Sequence, residues 1–304
     1  MGEDDYMSST VPHESSATAA HWLEGARPRT WANAFAPVIV ASGVAAFHGG
    51  FLWWKALLAL VVAWALIIGV NYANDYSDGI RGTDEDRTGP LRLTGSGLAQ
   101  PGEVKKAAFI SFGIAGIAGL ALSITSAWWL VAIGVICILG AWFYTGGSKP
   151  YGYMGLGEVA VFVFFGLVAV LGTEFTQRGA ISWMGLAVAV GVGSISAGVN
   201  LANNIRDIPT DAETGKITLA VRLGDPGARR VYLLLVSMPF VMSVVISFTT
   251  LPALLGLIAL PLVVLGARPI LKGAGGRELI PVIGATGRAM AIWALLSAFA
   301  LAFL

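Results

Sequence analysis

Nine stretches of this chain, at about 31–48, 51–73, 105–125, 127–145, 155–176, 180–203, 230–249, 251–271 and 281–304, are apolar over the roughly 20 residues that a membrane-spanning helix needs. In hydrocarbon every backbone N–H and C=O must find its partner within the protein, and an uninterrupted run of this length does so only as a helix. The expected fold class is therefore all-α, a polytopic membrane bundle of about nine helices. Composition agrees: of 304 residues 56% are apolar and 12% charged, and the mean hydropathy is +0.75. Water-soluble domains carry about a quarter charged residues.

The segments between these stretches alternate in length. Long ones lie at about 74–104, 204–229 and 268–280, and short ones at 48–50, 123–127 and 249–252. That pattern predicts helical hairpins whose long loops share one side. Placing the N-terminus in the cytoplasm puts sixteen of the 19 basic residues inside, leaves Lys55 and Arg178 outside, and sets Arg288 within the ninth stretch. The positive-inside rule then makes the N-terminus and long loops cytoplasmic and the C-terminus external, in the cell membrane. Residues 1–20 are polar and lack a basic segment followed by an apolar one, so they read as a disordered tail ahead of a transmembrane domain over 21–304. The net charge of +1 excludes a nucleic-acid partner, and one cysteine with three scattered histidines excludes a disulfide framework and a Cys/His metal site. The sequence sets no oligomeric state.

Two of the long polar segments, about 71–104 and 200–229, open on the same pattern. Asn71, Asn74, Asp75 and Asp78 in the first match Asn200, Asn203, Asn204 and Asp207 in the second, at relative positions 0, 3, 4 and 7. That spacing is one face of a helix. The copies end the second and sixth stretches, so an ancestral duplication would bring two polar faces together across one cavity. Asp84 follows the first copy and Asp211 the second. Capping and solvation explain polar residues at a membrane surface, but carboxylates at helix C-termini are disfavoured by the helix dipole and require cations. Two facing clusters of hard oxygen donors suit Mg²⁺, which is commonly shared with a substrate phosphate. Asp75, Asp78, Asp207 and Asp211 are the central candidates, with Asp84 and the five asparagines as further ligands.

A diphosphate is the natural polyanion for such a pair of clusters. Arg87 and Lys216, just beyond the two copies, are candidate diphosphate donors, joined by Arg206 and Lys149. Tyr144 and Glu158, near the same mouth, are candidate acceptor-side residues. Arg288 is about two turns into an apolar stretch, which predicts that it faces the cavity or a carboxylate of another helix.

Asn74-Asp75-Tyr76-Ser77-Asp78 with Arg87-Thr88, paired with Asp207-Ile-Pro-Thr-Asp211, resembles the two aspartate-rich motifs of the UbiA superfamily of intramembrane prenyltransferases. The segments Trp22 to Thr30, Tyr144-Thr-Gly-Gly, Gly155-Leu-Gly-Glu158 and Gly215-Lys216-x-Thr218 resemble its branch acting on 1,4-dihydroxy-2-naphthoate. The resemblance runs from about residue 22 to the C-terminus. It implies a helical bundle around a cavity open to the cytoplasm, with a lateral route for a lipid tail. It also implies Mg²⁺-dependent transfer of a polyprenyl group from its diphosphate to 1,4-dihydroxy-2-naphthoate, with loss of CO₂, giving demethylmenaquinone. The superfamily's third aspartate of the first motif falls here on Gly82, and Asn204 stands where other branches often have Asp. Another aromatic acceptor, such as 4-hydroxybenzoate or homogentisate, would use the same motifs. A membrane alcohol-phosphotransferase would leave the second cluster unexplained, and a repeat-built transporter would place its polar site at mid-membrane instead of at span ends.

Overall fold

The computed structural model describes residues 16–82 and 91–304, and these contain helices and no strand. The helices are α1 (Ala19–Gly25), α2 (Ala32–Phe47), α3 (Trp53–Gly79), α4 (Pro101–Thr125), α5 (Leu130–Phe143), α6 (Gly157–Arg178), α7 (Trp183–Arg206), α8 (Ile208–Glu213), α9 (Leu219–Ser247), α10 (Leu251–Gly266), α11 (Arg268–Leu271) and α12 (Ile280–Phe303). Each of the nine apolar stretches is helical, but the number able to span by length is smaller. Among the described residues six helices, α3, α4, α6, α7, α9 and α12, are long and apolar enough to cross a membrane, or seven if the α1–α2 segment, bent by 49°, is one span. The shortfall from nine lies in α5 and α10. At 1.5 Å per residue, the 14 residues of α5 reach only about 21 Å of the roughly 30 Å of hydrocarbon. The chain is a multi-pass membrane protein.

Local sequence fixes several boundaries. Thr18 caps α1 by accepting from the His21 backbone N–H, and Gln100 with Glu103 forms a capping box around Pro101 at the start of α4. The helix at 219–247 begins earlier than its apolar run, because Leu219–Leu223 forms a first turn that is offset at Gly224 (φ 66°, ψ 166°), and the spanning part follows from there. Over Phe162–Leu171, α6 widens into a π-helix.

Small residues let helices meet closely where no hydrophobic effect drives them together. A Cβ on Gly43 of α2 would lie 2.5 Å from the Ala298 backbone of α12, and one on Gly166 of α6 would lie 2.6 Å from Gly193 of α7. The two helices that carry the repeat each have one main partner: α3 pairs most extensively with α4, and α7 with α9. The larger apolar core joins α2, α7, α9, α10 and α12 around the fully buried Trp293, whose indole N–H donates to Ser243 Oγ at 2.9 Å. A second core sets Tyr72 and Phe112 against Leu93, a fully buried residue of the loop before α4.

Candidate active site

The structure holds a cavity of about 520 Å³, walled by α2, α3, α4, α5, α6 and α7 with the segment before α2. Its long wall is apolar, including Ile67, Val70, Ile138, Phe164, Phe165 and Val168. Asn71 and Asn74 of α3 and Asn200 and Asn203 of α7 line the same cavity, so the two copies of the repeat do share one space. The helix α5 is a thin partition: Gly134, Cys137, Ile138 and Ala141 face the cavity, while Ile136, Leu139 and Phe143 are exposed on its outer side.

The four central aspartates are buried and are not among the cavity walls; each is already engaged. Asp75 accepts from the backbone N–H groups of Leu93 (2.7 Å) and Thr94 (2.9 Å), which makes it the anchor of the loop before α4. Asp78 accepts from the Tyr153 hydroxyl at 2.6 Å and pairs with Arg92 at 3.3 Å. Asp207 receives both arms of Arg206, at 2.7 Å each. Asp211 pairs with Lys216 at 3.2 Å. Asp78, Asp207 and Asp211 each have a cation of the chain beside them, while Asp75 is held by backbone N–H groups.

The asparagines divide the same way. Asn71 donates to the Ala26 carbonyl (3.0 Å) and Thr30 Oγ1 (3.1 Å), tying the N-terminal segment to α3, and Asn74 Oδ1 accepts from Thr145 Oγ1 at 2.8 Å. Glu158 Oε1 accepts from Asn200 (3.1 Å) and Asn204 (2.6 Å), while Asn203 donates to the Val199 carbonyl. Tyr144 lines the cavity, and its hydroxyl donates to Asn200 Oδ1 at 3.3 Å. Tyr151, also on the wall, donates to the Gly140 carbonyl at 2.6 Å; burial pushes its hydroxyl up to about 12, so it stays protonated.

Other candidates fall elsewhere. Asp84 and Arg87 lie outside the described residues. Lys149 is exposed on the turn after α5. Arg288 corrects its expectation: it is exposed on α12, outside the cavity walls, and its guanidinium folds back over Gly284. A long basic side chain reaches polar surroundings along its own helix when the residue one turn earlier is glycine. Gly82, standing at the position of the superfamily's third aspartate, has φ 70°, a left-handed exit from α3 that glycine adopts freely.

Four functional candidates escaped the sequence reading. Arg27 lines the cavity and holds φ 54°, the one positive φ of a non-glycine residue among the described residues. Arg92 and Tyr153 hold Asp78, and Arg81 donates to the carbonyls of Thr145 and Gly147 on the Tyr144 turn. A proline favours an extended backbone in the residue before it, so nothing local marks the left-handed Arg27, and the other three are joined only by folding.

The donors fit Mg²⁺ by chemistry: all are hard oxygens, with no thiol or imidazole among them, and Glu158 Oε2 is a further buried oxygen with no hydrogen-bond partner. Among the described residues no three Asp, Glu, His or Cys side chains converge on one point. Mg²⁺ bound through one or two carboxylates, water and substrate phosphate needs no such closed cage.

A protein of Mycobacterium tuberculosis named 1,4-dihydroxy-2-naphthoate octaprenyltransferase is 58% identical over 94% of this chain and 98% of its own length. An Escherichia coli protein of the same name is 38% identical over 86% of each chain. The structure of a UbiA homologue from Archaeoglobus fulgidus bound to GPP and Mg²⁺ superposes with a TM-score of 0.68, at 14% identity, covering 93% of this chain and all of that one. The same fold, the paired polar faces at one cavity and a match of residues 34–278 to the family model together make this chain a member of the UbiA prenyltransferase family.

Proposed function

We propose that this protein transfers a polyprenyl group from polyprenyl diphosphate to 1,4-dihydroxy-2-naphthoate, with loss of CO₂, giving the quinol form of demethylmenaquinone. The observation that carries the reading is one cavity with two kinds of wall. Asn71, Asn74, Asn200 and Asn203 line it together with a long apolar surface, matching a ligand with a charged head and a hydrocarbon tail. The near full-length relative from M. tuberculosis supports the acceptor.

In this reading Asp78, Asp207 and Asp211, with Asn74 and Asn203, would hold Mg²⁺. Bound there, Mg²⁺ supplies positive charge to the diphosphate as the allylic C–O bond breaks. Arg206 and Lys216 stand beside these aspartates to stabilise charge gathering on the departing diphosphate, with Arg87 and Lys149 as further donors on the flanking loops. The apolar walls of α3, α5 and α6 keep water from the allylic cation. The electron-rich naphthoate ring attacks that cation, forms the new C–C bond and gives up CO₂ and a proton. Tyr144, held by Asn200, is placed to orient the acceptor. The head-group end faces the cytoplasm of the cell membrane, following the basic loops.

An assay of the detergent-purified chain with Mg²⁺ and a polyprenyl diphosphate, offering 1,4-dihydroxy-2-naphthoate and 4-hydroxybenzoate in parallel, tests this. A prenylated naphthoquinol lighter by CO₂ is expected. Product from the benzoate alone would replace the acceptor, and no metal-dependent product from either would overturn the reading.

A further inference from the structure

Tyr153 belongs to neither repeat copy, yet it touches both. It lies on the turn Tyr151–Met154 between α5 and α6. That turn is fixed on two sides: Gly152 N–H donates to the Tyr144 carbonyl at 3.0 Å, and Arg222 donates to the Met154 carbonyl at 3.0 Å. From this base the Tyr153 hydroxyl donates to Asp78 Oδ1 at 2.6 Å. Its backbone carbonyl accepts from Ile217 N–H at 3.1 Å, directly after Lys216. The Arg81 guanidinium lies 5.6 Å from its ring centroid and the Lys216 ammonium 5.4 Å. Lys216 in turn pairs with Asp211.

We infer that Tyr153 is a positioning residue that aims the Asp78 carboxylate and holds the loop of the second motif in register with the first. The inference rests on the diphosphate reading above. A hydroxyl bonded to a carboxylate makes a short, strong, directional hydrogen bond. At 2.6 Å it is closer to Asp78 than Arg92 is at 3.3 Å. Asp78 ends a helix whose dipole disfavours its charge, so a donor from outside the helix sets where that charge points. The ring attracts two cations that would otherwise repel each other, Arg81 following the first motif and Lys216 following the second. One rigid side chain thereby links the acid of one copy to the base of the other. Tyr153 acts through Asp78 and Lys216 and needs no contact with the reacting atoms.

The test is binding of inorganic pyrophosphate with Mg²⁺ to the full-length purified protein, by calorimetry, for wild type, Tyr153→Phe and Tyr153→Ala, with thermal midpoints measured alongside. Tyr153→Phe keeps the ring and removes the hydroxyl; it is expected to weaken binding about tenfold, as loss of a charge-assisted hydrogen bond does, at an unchanged midpoint. Tyr153→Ala is expected to weaken it further. In turnover, KM for the prenyl diphosphate should rise while KM for the aromatic acceptor stays put, a split that general loosening would not give. Tyr153→Phe binding within about twofold of wild type, or weakened only together with a lowered midpoint, overturns the inference and leaves the diphosphate reading standing. Wild type that binds no pyrophosphate overturns both.

Discussion

The side-chain nitrogen of Asn204 lies 2.6 Å from Glu158 Oε1, so the residue that replaces an aspartate in the second motif is the hydrogen-bond donor to a buried carboxylate. An aspartate at 204 would set two carboxylates in contact inside the protein, where like charges repel strongly and one must take up a proton. The departure from the superfamily pattern is therefore one half of a matched pair, and Glu158 is the other half.

Asn204→Asp should lower the thermal midpoint and reduce turnover at least about tenfold, since a buried unpaired charge costs several kcal/mol. The double variant Glu158→Gln with Asn204→Asp reverses donor and acceptor and should regain most of the stability. A midpoint in the double variant no higher than in Asn204→Asp alone would show that the two residues do not act as a pair.

Asp75 and Asp78 are three residues apart and should fail differently when changed. Asp75→Asn turns one of the two oxygens that accept from loop N–H groups into an NH2 donor and should destabilise the protein by about 1–3 kcal/mol, with the loop before α4 becoming the first site of proteolysis. Asp78→Ala and Asp207→Ala should abolish turnover while leaving a folded, monodisperse protein. Parallel melting and product assays separate these cases.

Much of the fold was legible in the sequence because lipid imposes a one-dimensional rule: a long apolar run is a helix wherever it occurs. The repeat was legible for a similar reason, since Asn71, Asn74, Asn200 and Asn203 share helix faces that spacing alone reveals. What the spacing did not show is which groups neutralise the aspartates. Arg92 reaches Asp78 from 14 residues away and Tyr153 from 75, and such pairs exist only after loops fold back. Asn71 shows the same limit. On the shared face it reads as a metal ligand, while in the structure its amide nitrogen secures the Ala26 carbonyl across 45 residues. In α5 and α10 the apolar run outlasts the helix, and these are the two stretches that hydropathy reads as spans and helix length does not.

Arg27 holds a left-handed backbone that an arginine adopts at about 1 kcal/mol or more. Arg27→Gly should relieve that strain and leave stability within about 1 kcal/mol of wild type, because the gain offsets the entropy of glycine. Turnover should fall at least about tenfold if the guanidinium on the cavity wall engages the charged end of a ligand. Thermal melts and kinetics on the same preparation decide it, and undiminished turnover would make Arg27 a structural residue alone.

Lys55 closes the structure far from the two motifs. Its ammonium donates to the carbonyls of Thr125 (2.8 Å) and Thr176 (2.7 Å) and to Ser126 Oγ (2.9 Å), drawing together the C-terminal ends of α4 and α6. Lys55→Met should destabilise the protein by about 2 kcal/mol or more, as buried carbonyls lose a charged donor. Activity measured well below the melting range should persist.

Cys137 is the sole thiol of the chain and lies on the cavity wall. A membrane-permeant maleimide should alkylate it slowly, because a thiol on an apolar wall resists ionisation, and a long-chain prenyl diphosphate should slow that reaction further where pyrophosphate does not. Equal protection by the two ligands would place the tail elsewhere.

The cavity draws its walls from α2 to α7, and α9, α10 and α12 contribute none of them. The vessel thus takes helices from both repeat copies, and α9, α10 and α12 stand outside it as a buttress. Selection on the length or shape of the lipid can act on α3 to α6 while the buttress keeps the molecule standing. Chimeras that exchange α9 to α12 between distant relatives should therefore inherit their lipid preference from the N-terminal parent.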